Sequence, residues 1–116
     1  MKLFVYSILF LLFISSCAQS KTKPITEVSQ NELNSVILVD VRTPEEYSAG
    51  HIENAMNINW FDEDFAKKIE SIDKTETVYV YCKKGGRSAK AAHLLDSLGY
   101  KNVIDLAGGY DAFSKK

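Results

Sequence analysis

Cysteine is scarce in this 116-residue chain, which holds only Cys17 and Cys82. At most one disulfide can form, so a fold stapled by several is excluded. The two histidines, His51 and His93, stand apart from each other and from the cysteines. That spacing gathers no ligand set, and neither a metal nor another cofactor is expected. Proline is equally rare, at two residues. No low-complexity stretch or internal repeat divides the chain, and its length leaves room for one domain. Nor does one sign of charge dominate. The formal net charge is −1, and the lysines are scattered instead of striped along one face, which removes the electrostatic footprint of a nucleic-acid binder.

Long apolar runs are also lacking, with one exception. Met1 and Lys2 give a short positive start, Leu3 to Ile14 is almost unbroken hydrophobe, and Ser15-Ser16 places small residues before Cys17. The run is well short of the ~20 residues needed to span a bilayer, and its pattern is that of a removable leader. It resembles the lipobox of bacterial lipoprotein signal peptides. That resemblance implies a signal peptide over residues 1–16 and a lipidated Cys17 as the mature N-terminus. The chain would then be membrane-anchored at the bacterial cell envelope, with its domain outside the cytoplasm, on the periplasmic side. An ordinary secretory signal with an incidental Cys17 is the alternative. Removing Lys2 leaves one fewer than the 14 basic residues against 15 acidic ones, so acyl chains rather than charge would have to hold the membrane, and more than one would be needed. With Cys17 lipidated, Cys82 is a lone thiol.

Residues 17–24 read as a lipidated cysteine and polar tether, and residues 25–116 as the domain. Ile25 to Val28 suggests a brief edge strand. Ser29 is a helix N-cap, with Glu32 three residues on to complete a capping box. Val36 to Val41 is a β-branched strand of the kind covered on both faces. Asp40 interrupts it, either as a solvated strand-end residue or as a buried carboxylate that Arg42 or a turn N–H must satisfy. Thr43 and Pro44, followed by Glu45 and Glu46, spell a helix start, and Gly50 ends that helix. His51 is a turn residue bonded to backbone or, less simply, a catalytic group. Ala55 to Asn59 alternates as a strand. Trp60, Phe61, Phe65, Ile69 and Ile72 recur at near-helical spacing, which predicts an amphipathic helix packing its aromatic edge into the core.

Thr77 to Tyr81 reads as a buried strand and Ser88 to Leu98 as a helix. Ala89, Ala92, Leu94, Leu95 and Leu98 would supply the helix's apolar face; Lys90, His93 and Ser97 fall opposite, so His93 is not expected to serve Cys82 as a base. The short loop between strand and helix is Cys82, Lys83, Lys84, Gly85, Gly86 and Arg87. Glycines let successive N–H groups converge into an anion-binding nest, and the helix N-terminus adds its positive dipole end. Sulfur placed there is favoured as thiolate, the nucleophilic form. A buried structural cysteine is the simpler reading, but a strand end alone has no need of three cations and two glycines. Asn102 to Leu106 supplies the last strand, and Gly108-Gly109 turns into a short final helix. Strands alternating with helices make an α/β fold with a mostly parallel central sheet and helices on both faces. Cys82 then lies at a strand carboxyl end, where sites of such sheets form.

Several segments together carry a family resemblance: Val39-Asp40-Val41-Arg42; Glu45 through Ile52; Asn54-Ala55; Tyr81 through Ala89; Leu98-Gly99-Tyr100; and Leu106 through Tyr110. In this order they resemble single-domain rhodanese-like proteins across the mature chain. The resemblance implies a rhodanese-like fold and a sulfurtransferase or persulfide carrier, in which Cys82 accepts sulfur from thiosulfate or a similar anion and passes it to a thiol or cyanide. Lys83, Lys84, Gly85, Gly86, Arg87 and Ser88 would form the anion-binding loop, Arg87 either attracting the donor or holding the loop closed. Asp40, Arg42 and His51 match supporting positions. Four residues separate Cys82 from Arg87, as in sulfurtransferases; the related phosphatases carry one more. Lys83 replaces an arginine common in relatives. The partners implied are a small sulfur-donor anion and a thiol acceptor, with the protein a monomer. A non-catalytic protein-binding module on the same fold is the competing expectation.

Overall fold

A computed structural model describes residues 21–116; Cys17 and the leader reading of residues 1–16 lie outside the described residues. The strands are β1 (Lys21–Pro24), β2 (Ile37–Asp40), β3 (Met56–Asn57), β4 (Thr77–Tyr81) and β5 (Asn102–Ala107). They form one sheet in the order β1-β5-β4-β2-β3, with every pairing parallel. The helices are α1 (Gln30–Asn34), α2 (Pro44–Ala49), α3 (Phe65–Ile69), α4 (Gly86–Ser97) and α5 (Gly109–Ser114). The fold is the expected α/β arrangement, with β4 in the middle.

Alternation along β4 divides the core in two. Val78, Val80 and Cys82 face α3 and α4, meeting Phe65, Ile69, Ala91, Ala92 and Leu95. Tyr79 and Tyr81 face the other way, toward Ile25, Leu33, Ile52 and the partly buried Tyr47, Tyr110 and Phe113. Both faces are therefore covered, which is why the strands read as near-continuous apolar runs. Two tyrosine hydroxyls tie loops to this core. Tyr81 Oη accepts from Ile52 N (3.1 Å), and Tyr100 Oη donates to the carbonyls of Ile69 (2.6 Å) and Ile72 (2.9 Å).

Several elements differ from expectation. Lys21–Pro24, read as tether, is the edge strand beside β5, while Ile25–Glu27 is a 3-10 turn. The strand shows no apolar alternation because an edge exposes most of its side chains, and Pro24 is tolerated there because an edge leaves backbone donors unused. Ser29 does cap α1, accepting from Glu32 N (3.1 Å). The Glu32 carboxylate instead binds Lys23 Nζ (2.9 and 3.0 Å) and Tyr79 Oη (2.7 Å), fastening α1 to two strands. Lys23 and then Tyr79 hold Glu32 below the usual carboxylate range, while burial and the Glu32 charge push Tyr79 up to about 12. The strand expected over Ala55 to Asn59 contracts to Met56–Asn57. On α4 the buried face is Ser88, Ala91, Ala92 and Leu95, with Ala89 exposed, so the face turned to the sheet is rotated from the expected one and includes Ser88 and Ala91.

Candidate active site

The geometry around Cys82 begins with β4, which delivers the cysteine to the sheet's carboxyl end, and α4, which starts four residues later. Gly85 makes the turn possible. Its φ of +125° belongs to glycine, and in that conformation its N–H donates to Cys82 Sγ at 3.0 Å. The Gly85 carbonyl accepts the first helical bond from Ala89 N (3.1 Å). The N–H groups of Gly86, Arg87 and Ser88 then lack helical acceptors and form the donor end of the α4 dipole. Ser88 Oγ lies 3.4 Å from Sγ, on the buried side.

The loop is held from behind by α5. Tyr110 N donates to Cys82 O (2.7 Å) and Asp111 N to Lys83 O (3.0 Å). With these carbonyls engaged by α5, the backbone donor that reaches the sulfur is the Gly85 N–H. This contact requires glycine at position 109. Its φ is +63°, and a Cβ there would land on the Cys82 and Lys83 carbonyls. Gly109 was legible only as a turn residue, since nothing local announces what the turn touches.

The three cations of the loop have different fates. Lys83 Nζ pairs with Asp111 Oδ1 at 3.0 Å. Arg87 grips Glu46 with both prongs, Nη1–Oε1 at 2.6 Å and Nη2–Oε2 at 3.0 Å. Lys84 has no carboxylate partner among the described residues and is exposed. Glu46 also completes the α2 capping box with Thr43. Arg87 first, and then Thr43, pull its carboxyl down to about 2 against a cost of burial. Neither Glu46 nor Asp111 was singled out from the sequence as a site residue. Glu46 could be read as a cap and Asp111 carried no signal, because their partners lie 41 and 28 residues away.

Trp60, Phe61, Cys82, Lys83, Lys84, Gly86, Arg87 and Lys90 line one pocket of about 320 Å³. The aromatic stripe is thus corrected in part. Phe65, Ile69 and Ile72 are core, but Phe61 is 66% exposed, with the Arg87 guanidinium 5.5 Å from its ring centroid. The helix there covers only Phe65–Ile69, so residues 60 and 61 precede it on a turn and escape its periodicity.

Asp40, Arg42 and His51 do not line this pocket. Asp40 and Arg42 form a buried pair: Nη2–Oδ2 is 2.7 Å, and the Arg42 backbone N also donates to Oδ1 (2.9 Å). Arg42 Nη2 reaches on to Gly50 O (2.7 Å), and its guanidinium stacks over the Tyr110 ring at 4.4 Å. The pair joins the ends of β2 and α2 to α5, the helix that backs the loop. His51 is exposed, bonded through Nδ1 to Tyr47 O (2.8 Å) and stacked on the Tyr47 ring. It fits the turn role rather than the chemical one. His93 lines a separate apolar groove with Trp60 and Leu94.

This geometry supports a cysteine nucleophile held in a cradle of backbone donors, with space above it for a small anion. The Rhodanese-like domain model matches residues 26–116. Thiosulfate sulfurtransferase 16 of Arabidopsis thaliana is 37% identical over 87 residues, covering 66% of this chain and 72% of the relative. Thiosulfate sulfurtransferase GlpE of Shewanella oneidensis is 35% identical over 86 residues, covering 74% and 83% respectively. The crystal structure of a rhodanese-like domain protein from Staphylococcus aureus superposes with a TM-score of 0.70 at 33% identity, covering 80% of this chain and 90% of that one. The chain belongs to the rhodanese-like domain family.

Proposed function

We propose that the protein is a sulfurtransferase in which Cys82 carries sulfane sulfur as a persulfide. The observation that carries this reading is the Gly85 N–H bonded to Cys82 Sγ at 3.0 Å, at the donor end of α4. Such donors stabilise an anionic sulfur before and after it is loaded. With thiosulfate as donor, the Cys82 thiolate attacks the outer sulfur. A new S–S bond forms at Sγ, the donor's own S–S bond breaks, and its electron pair leaves on sulfite. An acceptor thiolate then attacks the terminal sulfur of the persulfide and releases the Cys82 thiolate, giving ping-pong kinetics. The compact loop, four residues between Cys82 and Arg87, suits one added sulfur. Lys84 and Lys90 at the pocket rim draw the donor anion in. The reading extends to placement: Cys17, lipidated, would hold the domain at a bacterial membrane outside the cytoplasm.

The test is the intact mass of the full chain before and after thiosulfate, beside Cys82→Ser. One added sulfur on the wild type alone, removed by cyanide, is the expected result. No added sulfur on a thiol that still alkylates would replace this reading with that of a protein-binding module. Acylation is checked separately, by the mass of the N-terminal fragment from membranes, with Cys17→Ala as control.

A further inference from the structure

Ala89, Lys90, His93, Leu94 and Ser97 share one face of α4, at the spacing that stacks side chains over successive turns. Trp60 stands opposite them, and together the six line an open groove of about 500 Å³ whose surface is almost wholly apolar. Along the helix it runs for about 12 Å, at 1.5 Å of rise per residue. Trp60 is a fixed wall. Its backbone N–H donates to Val41 O (3.0 Å), and its half-buried ring meets Phe65 edge-on, with centroids 5.0 Å apart. Single exposed hydrophobes need no explanation, but a continuous apolar groove marks a place where something binds.

What binds is indicated by where the groove leads. Trp60 and Lys90 also line the pocket above Cys82, so the two spaces are continuous and one molecule can occupy both. Its reactive end must be slim, because Cys82 is only 1% exposed and a broad protein surface does not follow it down. The pocket is lined by Lys83, Lys84, Arg87 and Lys90 and by no carboxylate. Cations there favour the thiolate of an incoming thiol, the form that attacks sulfur. The groove beyond has Lys90 and His93 as its ionisable lining and otherwise rewards apolar length. Thiosulfate is small enough to be held by the pocket alone, which leaves the groove to the second substrate.

We propose that the acceptor is a thiol at the end of an extended apolar chain, its sulfur in the Cys82 pocket and its chain laid along α4 between Trp60 and Leu94. The inference rests on the reading of Cys82 as a persulfide carrier and adds the class of its second substrate. In the step, the acceptor thiolate attacks the terminal sulfur of the persulfide. A bond forms between those two sulfurs, and the bond from the transferred sulfur to Cys82 Sγ breaks. Its electron pair returns to Sγ as thiolate, and the acceptor departs as an alkyl persulfide. Donor and acceptor use the pocket in turn, so Lys90 serves both. Its ammonium stays at the rim while its stem covers the chain. Each methylene that leaves water for the groove strengthens binding, so discharge quickens with chain length until the groove is full.

The experiment loads the full chain carrying Cys17→Ala with thiosulfate, then discharges it with cyanide or with a series of thiols from 2-mercaptoethanol to 6-mercaptohexanol. Rates per thiolate are expected to rise about twofold to fourfold for each added methylene. Leu94→Gln and Ala89→Gln put an amide in the groove without touching the pocket. Each should flatten the rise and leave cyanide discharge unchanged. Ala89 is exposed, so its variant stays readable if Leu94→Gln does not fold. A flat series in the wild type overturns the proposal, as does an undiminished rise in Ala89→Gln. Trp60 is the only tryptophan, and its emission reports the groove without any sulfur transfer. In Cys82→Ser, 6-mercaptohexanol should shift that emission saturably and more tightly than 2-mercaptoethanol; no shift overturns the proposal. No loading by thiosulfate defeats the sulfurtransferase reading instead, whatever the emission shows. An emission change with protein concentration alone, matched by a dimer in sedimentation, means that a second copy covers the groove and also overturns the proposal.

Discussion

Arg87 and Glu46 meet through two parallel hydrogen bonds, 2.6 and 3.0 Å long, that fasten the start of α4 to the first turn of α2. The guanidinium at the end of the Cys82 loop is bound to Glu46 while also lining the pocket, an arrangement that suits the loop-holding role. Among the described residues, Lys84 and Lys90 line the same pocket without a carboxylate partner.

This ion pair predicts an acid limb in stability. The folded-state carboxyl of Glu46 is depressed from 4.5 to about 2, so its contribution is complete above the higher value and is lost as pH falls toward the lower one. Partial exposure screens the pair, and about 1–2 kcal/mol is expected after that discount. Denaturant unfolding of Glu46→Gln should show that loss at pH 7 and a smaller deficit at pH 3.

Gly109→Ala should be among the most damaging small substitutions. Its methyl would strike the Cys82 and Lys83 carbonyls at a positive φ. Steric strain of this sort costs about 2–4 kcal/mol. The loop opens or turns to relieve it, so the thermal midpoint falls, and the Cys82 alkylation rate changes in the variant that remains folded. A wild-type midpoint would show that α5 does not back the loop as described.

Lys84 and Lys83 are neighbours with unequal roles. Because Asp111 already neutralises Lys83, Lys84→Ala should raise the thiosulfate KM more than Lys83→Ala does. An exposed charge near a small anion contributes about 1 kcal/mol, or roughly fivefold at low salt, and the difference should shrink at 1 M salt, where the Debye length is about 3 Å. Steady-state kinetics at two ionic strengths separates the two lysines; equal effects at both would contradict the ion-pair assignment.

Asp40→Ala leaves Arg42 buried without its carboxylate, although the Gly50 carbonyl remains. Breaking a buried pair by removing one partner costs about 3–5 kcal/mol. Urea unfolding should report a loss of that size. Thiosulfate turnover by the fraction that stays folded should be little changed, since neither residue lines the pocket.

Phe61→Ala tests the pocket wall. With its ring two-thirds exposed, stability should move by no more than about 0.5 kcal/mol. A change in acceptor-thiol KM without one in thiosulfate loading would show that the aromatic edge meets the second substrate.

Much of this fold was legible because its signals are local. Strands covered on both faces read as Val36 to Val41 and Thr77 to Tyr81, the Thr43-Pro44 helix start needs only neighbouring residues, and the Cys82 loop announces itself through glycines and cations packed into six positions. Periodicity misled where elements were short. Trp60 and Phe61 share the spacing of Phe65 and Ile69 but belong to a turn, and Lys21–Pro24 hides as a strand because an edge imposes no apolar pattern.

The amino-acid sequence by itself determined the α/β class, the strand carrying Cys82 and the donor-rich turn that follows it, since hydrophobic period, glycine conformations and helix starts act over a few residues. Only the tertiary structure decided which charges are committed and to what: Glu46 on Arg87, Asp111 on Lys83, Glu32 on Lys23, with the buried Asp105 Oδ1 left without a partner among the described residues. Parallel sheets join residues through crossovers of a dozen or more positions, so the partners of a loop such as this one arrive from distant segments and leave no mark in the residues around it.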